Sequence, residues 1–208
     1  MSDALDYLLK VRPDALQPYF RFLKQAGSKL DPKTRALISV ITKVHAQTER
    51  GFRQYLVRAL EAGVTPEEII DALLMAFPAL GMAKIVWATD VLLDMDIPEF
   101  HPEAIGAEPR WHDLGEAAAI GPEEVKRIEC DGRAVFVGRA EGEYRVYDSR
   151  CPHQVTNIPL VALDGKRLTC PKHGWAFDVV SGQCVAKGSR PLRRFESRVE
   201  AGALQARW

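Results

Sequence analysis

Charge of one sign, long apolar runs and cysteine are all scarce in this chain of 208 residues. Lysine plus arginine number 28 and aspartate plus glutamate 28, so the net charge is zero. The balance holds in each half, with 12 basic and 14 acidic side chains in residues 1–105 and 16 and 14 in residues 106–208. Nothing in this distribution favours nucleic acid or an anionic membrane surface as a partner. No apolar run approaches the roughly 20 residues of a membrane span. The opening MSDALDYLLKVRPD also lacks a basic segment followed by an uninterrupted apolar one. Together these absences predict a cytoplasmic location without membrane contact. No glycine fingerprint lies between a strand and a helix, so the nucleotide-binding segments of a reductase are missing. No histidine follows His173, and only 35 residues remain. A mononuclear iron held by two histidines and a carboxylate is therefore not expected after it, nor the terminal oxygenase that would need one.

Four cysteines are present, Cys130, Cys151, Cys170 and Cys184. Two of them belong to a pattern: Cys151-Pro152-His153 and Cys170-Pro171-Lys172-His173 form C-x-H and C-x-x-H pairs separated by sixteen residues. Two thiolates and two imidazoles at this spacing suit a Rieske-type 2Fe-2S cluster, the cysteines on one iron and the histidines on the other. Charge explains the donor choice. Two ferric ions, two sulfides and two thiolates sum to zero, whereas four thiolates would leave the cluster doubly negative and harder to reduce. A structural zinc ion is satisfied by the same four donors, although zinc modules more often pair cysteine with cysteine and histidine with histidine. Cys130 and Cys184 read as buried thiols in strands, with a redox role as the alternative.

The pattern of the chain changes once. Up to about residue 95 the apolar residues recur at helical spacing, and four or five helices are expected. Asp31-Pro32 supplies a cap and a first-turn proline before Leu37, Ile38, Ile41 and Val44. Thr65-Pro66-Glu67-Glu68 reads as a capping box opening a helix with Ile69, Ile70, Leu73, Leu74 and Phe77. Gly63 is placed to end the preceding helix, and Pro78 and Gly81 to kink or divide the last pair. Residues 96–110 contain Pro98, Pro102, Gly106 and Pro109 and read as a linker. Beyond them Val125 to Cys130, Asp131-Gly132 and Arg133 to Arg139 have the form of a hairpin, and Tyr144 to Tyr147 that of a further strand. Asp164-Gly165, Ser181-Gly182 and Ala201-Gly202 mark turns. The expectation is an α+β chain of two domains: an all-α helical bundle over 1–95, a linker over 96–110, and a small antiparallel β domain over 111–208 with the metal-binding pairs in two loops at one tip.

Residues 111–208 closely resemble the soluble Rieske ferredoxins of aromatic-ring oxygenases. The likeness rests on Cys151-Pro152-His153-Gln154, Cys170-Pro171-Lys172-His173-Gly174-Trp175-Ala176-Phe177-Asp178, Ser181-Gly182 and Arg190-Pro191-Leu192. It implies a 2Fe-2S cluster ligated by Cys151, His153, Cys170 and His173. It also implies partnership with a flavin-dependent reductase and an oxygenase component. Respiratory Rieske proteins carry an extra cysteine in each ligand loop, joined as a disulfide; Gln154, Val155, Thr156 and Lys172 stand in or near those places here. They also place hydroxyls where this chain has Trp175 and Phe177. Losing two hydrogen bonds of about 1.5 kcal/mol each lowers the potential by on the order of 130 mV. The expected midpoint is thus roughly −150 mV, the low end of the Rieske range.

Residues 28–95 resemble the carboxymuconolactone decarboxylase and alkylhydroperoxidase-like superfamily, through Leu30-Asp31-Pro32-Lys33-Thr34-Arg35, Leu60 to Ile69 and Leu73-Leu74-Met75-Ala76-Phe77. Peroxidase members use C-x-x-C-x-x-x-H with a glutamate twelve residues before the first cysteine. The matching positions here are Thr48, Gly51, Tyr55 and Ala36, so thiol peroxidase chemistry is excluded and no catalytic residue is assigned. His45 is the only histidine nearby, and an ordinary helical histidine is the simpler reading; Tyr55 with Glu49 or Arg53 is the remaining candidate for a residual pocket. The likeness implies a homo-oligomer, a trimer or hexamer. The whole then reads as a ferredoxin carrying single electrons, with a catalytically degenerate helical domain for oligomerisation. A decarboxylase-like enzyme and a redox sensor, in which the cluster supplies or senses electrons, are the alternatives.

Overall fold

The computed structural model describes residues 3–208. Met1 and Ser2, which open both the segment read for targeting signals and the helical domain, lie outside the described residues. Six helices come first: α1 (Asp3–Val11), α2 (Pro13–Gln25), α3 (Pro32–Ala46), α4 (Glu49–Glu61), α5 (Pro66–Leu80) and α6 (Met82–Asp94). This exceeds the four or five expected. The additional boundary falls at Arg12, which precedes Pro13 and is driven out of helical geometry, at φ −139° and ψ 60°. The cap readings hold. Asp31 accepts the Thr34 amide at 3.0 Å, and Thr65 and Glu68 complete a reciprocal capping box. Gly63, at φ +82°, follows the end of α4. Pro78 stays within α5, and Gly81 separates α5 from α6.

The helical core is built from Val40 and Val44 of α3, Phe52 and Leu56 of α4, Ile69 and Leu73 of α5, and Ile85, Ala88 and Val91 of α6. Helix α2 contributes no buried residue. No helix among the described residues is long and apolar enough to cross a membrane. Residues 96–110 do not hang free: Ile97, Pro98 and Phe100 are buried, Pro98–Phe100 forms one turn of 3-10 helix, and Ile105 packs on the helical core.

Ten strands follow: β1 (Trp111–Glu116), β2 (Val125–Cys130), β3 (Arg133–Ala140), β4 (Glu143–Asp148), β5 (Leu163–Asp164), β6 (Arg167–Thr169), β7 (Ala176–Asp178), β8 (Cys184–Ala186), β9 (Arg194–Glu200) and β10 (Ala203–Arg207). They form a six-stranded antiparallel sheet ordered β1-β10-β9-β4-β3-β2 and a four-stranded one ordered β5-β6-β7-β8. The hairpins at Asp131-Gly132 and Ala201-Gly202 have positive φ at both central residues, the geometry that matches strand twist. One apolar cluster, including Val135, Val137, Val146 and Leu204, lies within the larger sheet. A second, with Phe136, Leu168 and Phe177, underlies the cysteines.

Candidate metal centre

Two loops carry the cysteine–histidine pairs, the first leaving β4 and the second joining β6 to β7. They are built alike. In the first, the Val155 amide donates to the Cys151 carbonyl at 2.9 Å and the Cys151 amide to the Thr156 carbonyl at 2.9 Å. In the second, the Gly174 amide donates to the Cys170 carbonyl at 2.9 Å and the Cys170 amide to the Trp175 carbonyl at 2.7 Å. The fifth residue of each loop takes positive φ, +68° at Gly174 and +49° at Val155. Glycine adopts this freely; a β-branched residue does not, and Val155 is held there by packing on the helical core.

The loops bring together all four predicted donors. Cys151 and Cys170 are each 1% exposed above Phe177 and Leu168, and neither is in a disulfide. Their sulfurs share a hydrogen bond. That bond, with the Lys172 and His173 backbone amides, draws the Cys170 thiol below its ordinary pKa. The same bond, and burial, push the Cys151 thiol up. The rings of His153 and His173 meet edge to face with centroids 4.6 Å apart, and both are half-buried. Burial, then the charges of His173 and Arg190, lower the His153 pKa to about 4, so the ring is neutral at pH 7. Its Nδ1 is buried without a hydrogen-bond partner. A buried orphan nitrogen beside two buried thiols fits a metal-donor set better than a packed polar core. Two sulfurs and two nitrogens fit a 2Fe-2S cluster of the Rieske kind.

Trp175 lies neither fully under the loop nor free on the surface. It is half-buried and stacked on His153 at 4.8 Å with the planes 6° apart. Gly188 runs beneath it; a Cβ there would lie 2.3 Å from the indole. The loop roots are fixed by charge. Asp148 accepts the Arg150 amide at 2.9 Å and Arg133 Nη1 at 2.6 Å. The unassigned thiols Cys130 and Cys184 are half-buried in β2 and β8, and burial raises the Cys130 pKa.

His45 is exposed. Arg53 pairs with Glu49 at 2.9 Å and with Asp94. Tyr55 packs against the core with Lys43 and Arg58 each 5.1 Å from its ring centre.

Sequence reasoning missed the contacts between the halves. Arg150 reaches Asp96 at 3.2 Å, Arg133 reaches Glu99 at 2.8 Å, and Arg193 and Arg190 pair with Glu99 and Glu61. In these four pairs the cation comes from the β half and the carboxylate from the helices or the segment after them, while Arg110 of that segment pairs the other way with Asp131 at 3.6 Å. No spacing rule connects residues so far apart in the chain.

The profile of the Rieske [2Fe-2S] domain matches residues 110–196, and that of the carboxymuconolactone decarboxylase family residues 13–94. The ferredoxin subunit of methanesulfonate monooxygenase from Methylosulfonomonas methylovora is 28% identical over 46% of this chain and 79% of its own length. The ferredoxin component of the alkene monooxygenase system from Xanthobacter autotrophicus is 36% identical over 39% of this chain and 67% of its own. Ferredoxin CarAc from Metapseudomonas resinovorans is 29% identical over 45% and 90%. Of two longer relatives the chain spans only 18% and 28%.

Proposed function

The chain belongs to the Rieske [2Fe-2S] family through its C-terminal half, and its residues 13–94 match the carboxymuconolactone decarboxylase family; from that premise we propose that it carries single electrons from a flavin-dependent reductase to an oxygenase component. The observation that carries the proposal is the paired loops with two buried thiols and two half-buried imidazoles at their tip. Cys151, Cys170, His153 and His173 are the ligands in this reading. When bound, the cluster takes up and releases one electron. The surrounding residues do the rest: Phe177 and Leu168 keep water from the sulfurs, and Trp175 fixes the plane of the His153 ring. Pro152, Pro171 and the histidine edges offer the contact surface. The ferredoxins to which the chain is similar serve monooxygenase systems by name, which supports an oxygenase as acceptor.

The helical half serves as a catalytically degenerate oligomerisation domain in the same proposal. Its empty peroxidase positions and the apolar side chains left outside, including Tyr7, Tyr19, Phe22, Leu74, Met75 and Met82, support assembly into a trimer or hexamer. Several Rieske tips on one particle raise the effective concentration at an oligomeric oxygenase. The test is stopped-flow reduction of the cluster-loaded protein by a flavin reductase, followed by mixing with an oxygenase. Rapid transfer in both steps is expected; turnover of a substrate by this protein alone would refute the carrier reading.

A further inference from the structure

The metal-binding tip and the helical half meet through one chain of contacts. Arg190, in the segment leading to β9, places its guanidinium carbon 5.6 Å from the centre of the Trp175 ring. Trp175 lies flat on His153. Arg190 Nη1 is also paired with Glu61 Oε1, at the C-terminal end of α4 and 129 positions away. The stack has no slack, because Gly188 leaves no room for the indole to retreat. The first ligand loop is fastened to the same half, through Val155 on the helical core and Arg150 on Asp96.

We propose that the helical half sets the reduction potential at the tip through the contact chain Glu61, Arg190, Trp175 and His153. Arg190 is a positioning residue in this chain. It holds the indole against the imidazole and lends positive charge beside the cluster. Glu61 holds the guanidinium in place and cancels part of that charge.

The inference rests on His153 being a cluster ligand. Reduction adds a negative charge, so a nearby cation favours the reduced state and raises the potential, and a nearby carboxylate lowers it. Arg190 stands one ring away from the donors, its guanidinium carbon 5.6 Å from the centre of the indole that stacks on His153. Both partners are only partly exposed, Arg190 at 29% and Glu61 at 39%, so salt screens the effect without abolishing it.

The experiment is an EPR-monitored redox titration of the full-length, cluster-loaded protein and two variants. Glu61→Gln is expected to raise the midpoint and Arg190→Gln to lower it, and added salt to bring the Glu61→Gln midpoint closer to the parent's. A changed line shape in Arg190→Gln marks the loosened stack. Glu61 lies on the helical half, away from the donors, so Glu61→Gln decides the matter if Arg190→Gln fails to hold iron. A Glu61→Gln midpoint equal to the parent's at low salt overturns the proposal. An unaltered Rieske spectrum in His153→Ala overturns the ligand assignment beneath it, and the proposal with it.

Discussion

Two residues at the tip define what the site tolerates. Replacing His153 by cysteine puts a third thiolate on the cluster and adds negative charge, so the midpoint falls; an unchanged midpoint would remove His153 from the ligand set. Gly188→Ala drives a methyl group into the Trp175 ring, at 2.3 Å from the nearest carbon. Overpacking of this kind costs about 1–3 kcal/mol, measured as a lower midpoint in urea denaturation, and it tilts the indole off His153. The four candidate donors stand out in the sequence because cysteine and histidine are few and their spacing is unusual. The role of Gly188 does not, since nothing local distinguishes it from a turn glycine. Nor does the left-handed Val155, whose conformation depends on a helical core that precedes it in the chain by more than fifty residues.

At the scale of elements, the segment after α6 is the most informative. Its prolines and glycine read as an interdomain linker. It places Glu99 against Arg133 and Arg193, with Arg133 in turn on Asp148 at the root of the first ligand loop. Burial opposes ionisation of Glu99, but the two guanidinium charges outweigh it and hold the pKa at about 2, against 4.5 for the free side chain. A folded pKa below the unfolded one stabilises the fold above pH 4.5, and the contribution is lost as pH falls from there toward 2. Its size is up to about 3 kcal/mol. Denaturation of the parent between pH 6 and pH 3 is expected to show this loss, and Glu99→Gln to be less stable at pH 6 with a flatter profile. Parallel profiles would show that the pair does not hold the junction. The helices and hairpins themselves were readable because caps and turns are local: Asp31, Thr65 and Asp131-Gly132 act within three residues of their partners. Ion pairs between the halves are not local, and equal numbers of opposite charges gave no hint of how they would be sorted.

For the whole molecule, the sorting of charge is the informative feature. A chain with no net charge places arginines on one half and carboxylates on the other where the two meet, so that the halves are fastened together instead of tethered. Among the exposed apolar side chains are Tyr7 of α1, Tyr19 and Phe22 of α2, Leu74 and Met75 of α5 and Met82 of α6. Light scattering is expected to return a trimer or hexamer, and charged substitutions at Met75 and Leu74 to reduce its mass; a monomeric parent would remove the basis for multivalent display. High salt is expected to weaken the junction without dissociating an assembly held by apolar contacts.

The central claim is that the two loops hold a Rieske cluster used for electron transfer. An EPR-monitored redox titration, with iron, zinc and acid-labile sulfide assayed on the same sample, tests it most directly. Iron and sulfide are expected in equal amounts, with a Rieske-type spectrum and a midpoint of roughly −150 mV, at the low end of the range for such clusters. Zinc without sulfide would contradict it, making the four donors a structural site and leaving the function to be found in the helices.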